Sequence, residues 1–220
     1  MRKMVAAAVC LFIVGSVHTA WTADKVVVIP LNSASRIAEL EARIAVLEAL
    51  LAGVVRTAEN ELSFTGMNVR VVNGTGTTNG AEDGLGNLIV GYNEERTSGN
   101  VRTGSHNIIV GRANNYSSYG GIVVGYNNTI AGAHSSVTGG GNNISSGNYS
   151  SVSGGTFNEA NDWYSSISGG YSNEASGSYS SVSGGYSNTA SGNSSSVSGG
   201  ANRTVSGPYD WAAGTLFEDF

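Results

Sequence analysis

Cysteine, proline, histidine and charge are all scarce in this chain of 220 residues. It holds one Cys, two Pro and three His, and 12% of its residues are charged. Cys10 stands alone near the start, so no intrachain disulfide and no cysteine metal site can form further along. His18, His106 and His134 lie far apart without ligand spacing, which argues against a structural zinc site. The net charge is −5 and no basic run exists, so the electrostatic footprint of a nucleic-acid binder is missing. The carboxylates Glu94, Glu95, Glu159, Asp162 and Glu174 are not paired for acid–base chemistry. Residues 74–80 are glycine-rich but lack the Lys-Ser/Thr of a phosphate loop. The expectation is a non-enzymatic protein with no catalytic residue, cofactor or metal.

What is present is glycine, 32 residues of it, mixed with Ser and Asn. Such a composition reads as disorder unless it is periodic. Here it is periodic. Val137, Val152, Ile167, Val182 and Val197 recur at a constant spacing of fifteen, and Ile122 is read as the preceding member. Gly125 to Gly200, Asn128 to Asn188, and Ala160, Ala175 and Ala190 keep the same spacing. A period of that length suits one coil of β-structure. Ser-Val-Ser and Thr-Ala-Ser stretches, as in residues 181–183 and 189–191, alternate as half-buried strands require. Residues 87–207 are therefore predicted to be a parallel β-solenoid with Ile122, Val137, Val152, Ala160, Ile167, Ala175, Val182, Ala190 and Val197 in its core. Tyr149, Tyr164 and Tyr179 are expected to stack, as are Tyr171 and Tyr186. Pro208 is expected to stop the repeat, with residues 208–220 as a C-terminal cap.

Upstream the reading is sequential. Residues 1–23 resemble a secretory signal, with Arg2 and Lys3 ahead of an apolar Val5 to Val17 and cleavage after Ala20 or Ala23. Export is expected, to the cell exterior, the cell surface or the periplasm, with no membrane span after cleavage. Residues 24–32 hold a β-prone segment, Val26, Val27, Val28 and Ile29. It is read either as folding back on its own assembly or as a donor strand joining subunits. Residues 33–57 carry Ile37, Leu40, Ile44, Leu47, Leu51 and Val54 at heptad a and d positions, with Arg36 and Arg43 at g facing Glu41 and Glu48 at e. That pattern predicts a short parallel coiled coil, dimeric or trimeric. Residues 58–86 form a connector, with short strands predicted over 62–64 and 67–72. A solenoid core this thin is expected to need sideways packing against other copies.

Residues 181–192 and 87–93 resemble the head repeats of YadA-like trimeric autotransporter adhesins, and the heptads are similar to that family's stalks. The resemblance implies a homotrimer of left-handed β-rolls and surface adhesion to matrix proteins or other cells; apart from it, the tyrosine ladders leave a passive carbohydrate-binding role open. The repeat here is one residue longer than the family's usual fourteen, and the stalk precedes the head. The alternating strands of a C-terminal anchor barrel are not found ahead of Phe220. The alternative expectation is an extracellular filament or surface lattice joined through residues 24–31.

Overall fold

The structure is a computed structural model that describes residues 13–14, 17–22 and 25–214, with side chains for residues 33–55 and 58–214. It divides into two units, one up to Val69 and one from Arg70 on.

The first unit opens with β1 (Ile13–Val14), β2 (Val17–Thr22) and β3 (Lys25–Pro30), an antiparallel sheet in that order. The predicted strand is thus present, and it stands at the sheet's edge with Val27 opposite Ala20. Most of the predicted leader lies outside the described residues. Helix α1 (Leu31–Leu50) follows Pro30 directly and would be about 30 Å long at about 1.5 Å per residue. It stops short of the expected residue 57. Ala52 and Gly53 form a turn, and the β-branched pair Val54-Val55 opens β4 (Val54–Ala58), which pairs with β5 (Glu61–Phe64). Val54 therefore belongs to a hairpin and not to the heptad stripe. The strand expected over 67–72 does not form: Gly66 turns the chain at φ 71°, and Met67, Val69, Val71 and Val72 remain exposed without a ladder partner.

The second unit is mainly a parallel β-solenoid of about seven turns, and most turns repeat at a sequence separation of 15. Its turns are built from β6 (Leu88–Val90), β7 (Ile108–Arg112), β8 (Asn115–Tyr116) and β9 (Ile122–Tyr126), followed by two-residue strands. One wall stacks nine strands, from β6, β7 and β9 through Ser136–Val137 and its repeats to Trp211–Ala212. At about 4.8 Å per rung that wall spans about 38 Å. The other stacks seven, from β8 to Thr204–Val205.

Two columns of side chains meet between the walls. Ile109, Val123, Val137, Val152, Ile167, Val182 and Val197 come from the first, and Tyr116, Ile130, Ser145, Ala160, Ala175, Ala190 and Val205 from the second; all are buried. The expected core is correct except at Ile122. Ile122 is 38% exposed and Val123 is fully buried. The reason is turn length. Ser136 lies opposite both Ile122 on one side and Ser151 on the other, so the turn from Ile122 is one residue shorter than the turn to Ser151. Since side chains alternate between faces, one residue fewer moves the whole pattern to the other side. The added residue of the longer turns sits at the Gly-Gly corner, between Val137 and Gly141.

Much of the interior is polar. Asn114, Asn128, Asn143, Asn158, Asn173 and Asn188 form a buried column. Each Oδ1 accepts the backbone N–H of the residue one turn on, from Asn114 to Asn128 at 2.9 Å through Asn188 to Arg203 at 3.0 Å. Their Nδ2 groups donate to corner carbonyls; Asn158, for example, reaches Gly154 and Gly170, both at 3.0 Å. Buried amides satisfied in this way hold rung to rung without large apolar side chains. Sideways packing is therefore not the only source of cohesion that a thin core can have.

Pro208 does not stop the repeat. Tyr209 takes the same left-handed corner as Tyr179, and Trp211–Ala212 pairs with Ser196–Val197. Pro208 occupies the register of Asn193, Ser178 and Asn148, whose N–H groups make no rung-to-rung bond, so its missing donor costs nothing. Of the expected cap, Leu216, Phe217 and Phe220 lie outside the described residues.

Candidate functional site

The outward side chains define the surfaces that can meet another molecule. At one corner of each turn the chain enters the left-handed region, and in the middle turns an aromatic residue occupies it: His134 (φ 57°), Tyr149 (59°), Tyr164 (56°) and Tyr179 (60°). Bulky residues rarely adopt this conformation. Here a bond from the preceding rung anchors each tyrosine N–H, as from Tyr164 to the Asn148 carbonyl at 3.0 Å. The rings stack at 4.9–5.2 Å from His134 to Tyr179, with Tyr119 edge-on to His134. Tyr149, Tyr164 and Tyr179 keep much of their surface in solvent, beside the exposed Trp163. Because the rings cover one another's faces, the column presents edges and phenol hydroxyls.

A second row runs through Tyr126, Gly141, Thr156, Tyr171 and Tyr186, joined by single parallel bridges. Tyr171 and Tyr186 stack at 5.5 Å, and the Arg112 guanidinium lies 4.7 Å from the Tyr126 ring centre. Beside Tyr126 the inserted loop after Asn93 is fastened to the wall. Arg96 donates to the carbonyls of Ala113, Asn127 and Asn128 at 2.7–2.8 Å and to Thr129 Oγ1 at 2.9 Å. Burial, and then the charge of Arg102, hold Arg96 below the usual guanidinium value. The loop and wall enclose a groove of about 270 Å³ lined by Glu94, Glu95, Arg96, Arg112, Tyr126 and Asn127.

A third feature is the loop before the solenoid. His106 accepts the Asn73 N–H at Nε2 (3.3 Å) and faces the Thr78 carbonyl through Nδ1 (3.1 Å). Asp83 accepts from Leu85 N, Ser105 Oγ and Asn73 Nδ2. Its carboxyl is held below the ordinary range, mainly by the Leu85 N–H.

The expected oligomerisation residues Ile37, Leu40, Ile44 and Leu47 lie on α1, and Leu51 follows in the adjoining turn; all five are exposed, as are Val46 and Leu50. Val26, Val27, Val28 and Ile29 are placed on edge strand β3. Sequence reasoning missed the buried role of the Asn column and the membership of His134 in the aromatic stack. The second follows from spacing alone, since His134 precedes Tyr149 by the full repeat length, whereas the Asn spacing does not show which way those side chains point. Arg96 gave no periodic signal. Among the described residues no group of three or more His, Cys, Asp and Glu is arranged for a metal, and no helix is long and apolar enough to cross a membrane.

No protein-family model matches this chain, and no curated protein shows a significant match to its sequence.

Proposed function

We propose that this is an exported, non-enzymatic, adhesin-like structural protein: a homotrimer in which a short parallel coiled coil gathers the chains and left-handed solenoids display repeated surfaces to a matrix, cell-surface or carbohydrate ligand. The observation that carries the reading is the uncovered stripe Ile37, Leu40, Ile44, Leu47 and Leu51, apolar at steps of three and four and exposed throughout in the single chain. Such a stripe is stabilised in water by packing against another surface, and its heptad spacing fits like helices. The similarity of the repeats to YadA-like heads supports the same assignment, and the shorter steps from Ile109 to Val123 to Val137 match that family's usual turn length. The aromatic column and the groove beside Tyr126 are the surfaces offered to a ligand. Light scattering on residues 24–220 tests the assembly: three chains per particle are expected, and a monomer overturns the reading. Binding to matrix-protein and glycan arrays tests adhesion, and a trimer that binds neither removes that part.

A second reading, a self-assembling filament, is favoured by the place of β3. It is an edge strand whose partner, β2, lies within the expected leader. Cleavage after Ala20 or Ala23 would remove most or all of that partner and leave β3 open for another subunit. Electron microscopy of the exported material would then show polymers that disappear on deletion of residues 24–31. Polymers that persist would end this reading.

A further inference from the structure

The outer face of the first wall changes character along its axis. In β6, β7 and β9 the outward positions hold Leu88 and Val90, Ile108 and Val110, and Ile122 and Val124. From the next rung the same positions hold Ser136 and Thr138, then Ser151 and Ser153, and serine pairs follow through Ser196 and Ser198. Leu88 and Val90 are 48% and 54% exposed, Ile108 and Ile122 about two-fifths, and Val110 and Val124 are half-buried. The switch falls between β9 and Ser136–Val137, next to the corner where the turn lengthens by one residue.

The serine rungs pair as regularly as the aliphatic ones, so the strand ladder does not itself demand apolar residues outside. Six branched aliphatic side chains on three adjacent strands form the kind of contiguous apolar face that marks an interface. We propose that β6, β7 and β9 meet the same strands of the other copies of this chain, and that the rungs from Ser136 onward make no such contact. This rests on the homo-oligomer proposed above and adds where the solenoids touch. Another copy is the occupant for two reasons. In a symmetric homo-oligomer every copy carries the identical patch, so like surfaces are available to one another. The patch is also uncharged and small. Six side chains fall short of the roughly 800 Å² per partner of a free-standing interface. They suffice only where the partners are already held together, as joined helices would hold them. The serine-faced wall then stays in solvent, as does the aromatic column at the corner preceding its strands.

Residues 24–220 contain no cysteine, which makes cross-linking selective. Ile108→Cys, Ile122→Cys, Ser166→Cys and Ser181→Cys are each treated with a short bis-maleimide. With one thiol per chain the reagent joins chains in pairs, and the proposal expects covalent dimers from the first two and at least tenfold less from the serine positions. Separately, Ile108→Ser with Ile122→Ser installs residues that the same register carries downstream, so the solenoid is expected to keep its circular-dichroism spectrum. The oligomer's melting temperature is expected to fall by about 5 °C, whereas Ser166→Ala leaves it in place. If the unmodified chain is a monomer, the parent reading fails and this one with it. If it is an oligomer but Ile108→Cys and Ile122→Cys stay uncoupled, or the double serine variant melts unchanged, this inference alone is overturned. Equal cross-linking at Ser166→Cys overturns the confinement to the first three rungs.

Discussion

Asn188 donates its backbone N–H to Asn173 Oδ1 at 3.0 Å, one full turn away, and Asn173 in turn donates to Asn158 in the same manner. Asn173 also gives its Nδ2 protons to the Gly169 and Gly185 carbonyls, each at 3.0 Å. Removing the side chain would strand the buried Asn188 N–H on the next rung and take a donor from the Gly169 and Gly185 carbonyls. Asn173→Ala is expected to lower unfolding free energy by about 3 kcal/mol, since each buried unsatisfied group costs about 1–3 kcal/mol. Asn173→Asp is expected to be worse at pH 7 than at pH 4, because it buries a charge and loses the donors. Urea titration of both variants checks the order.

The corner glycines differ in what they require from rung to rung. Gly185 sits at φ 97°, and a Cβ there would collide with the Gly200 carbonyl oxygen of the next rung. Backbone cannot yield to it. At Gly154 the space is open and φ is not positive. Gly185→Ala is expected to cost about 3 kcal/mol, near the top of the usual range for point changes, and Gly154→Ala less than about 0.5 kcal/mol. Thermal melts of the two single variants separate stacking from mere glycine loss.

Tyr164 stacks on Tyr149 at 4.9 Å and on Tyr179 at 5.0 Å while held in the left-handed region. Losing two ring contacts costs about 0.5–1.5 kcal/mol each. Releasing a side chain from that backbone conformation returns about 1–2 kcal/mol. Tyr164→Gly is therefore expected to be more stable than Tyr164→Ala, the reverse of their order in a helix. Melting temperatures of both, against the unmodified chain, give the answer.

Asp83 supplies a pH dependence with a definite sign. Its folded value lies below the ordinary 3.8 because Leu85 N–H and then Ser105 and Asn73 favour the carboxylate. Its contribution is present above the ordinary value and is lost as the pH falls through the lower folded value. Amide exchange at Leu85 is expected to accelerate, relative to the chain's other loops, only in that acid window. Asp83→Asn removes this acid dependence.

The core columns were legible because the repeat spacing survives in Val137, Val152, Ile167, Val182 and Val197, and strand alternation then places the alanines between polar neighbours. Ile122 misled because three successive apolar residues, Ile122, Val123 and Val124, give no alternation to fix which one points inward. The one-residue shorter turn then decided the matter. Pro208 misled because its meaning depends on whether that N–H is used, which spacing does not reveal. Val54 reads equally as a heptad position or as the first residue of a β-branched pair, and pairing with Phe64 settles it. The anchoring of Arg96 had no trace in the repeat, since a loop insertion is by nature aperiodic.

In the serine-faced half each rung hydrogen-bonds only to the rung before and the rung after it, and its ends rejoin in the same register once per repeat. Unequal recombination between such units would add or remove whole rungs without creating a misfit. The length of the displayed column is thus a heritable quantity that can drift in steps of about 4.8 Å while the fold stays the same.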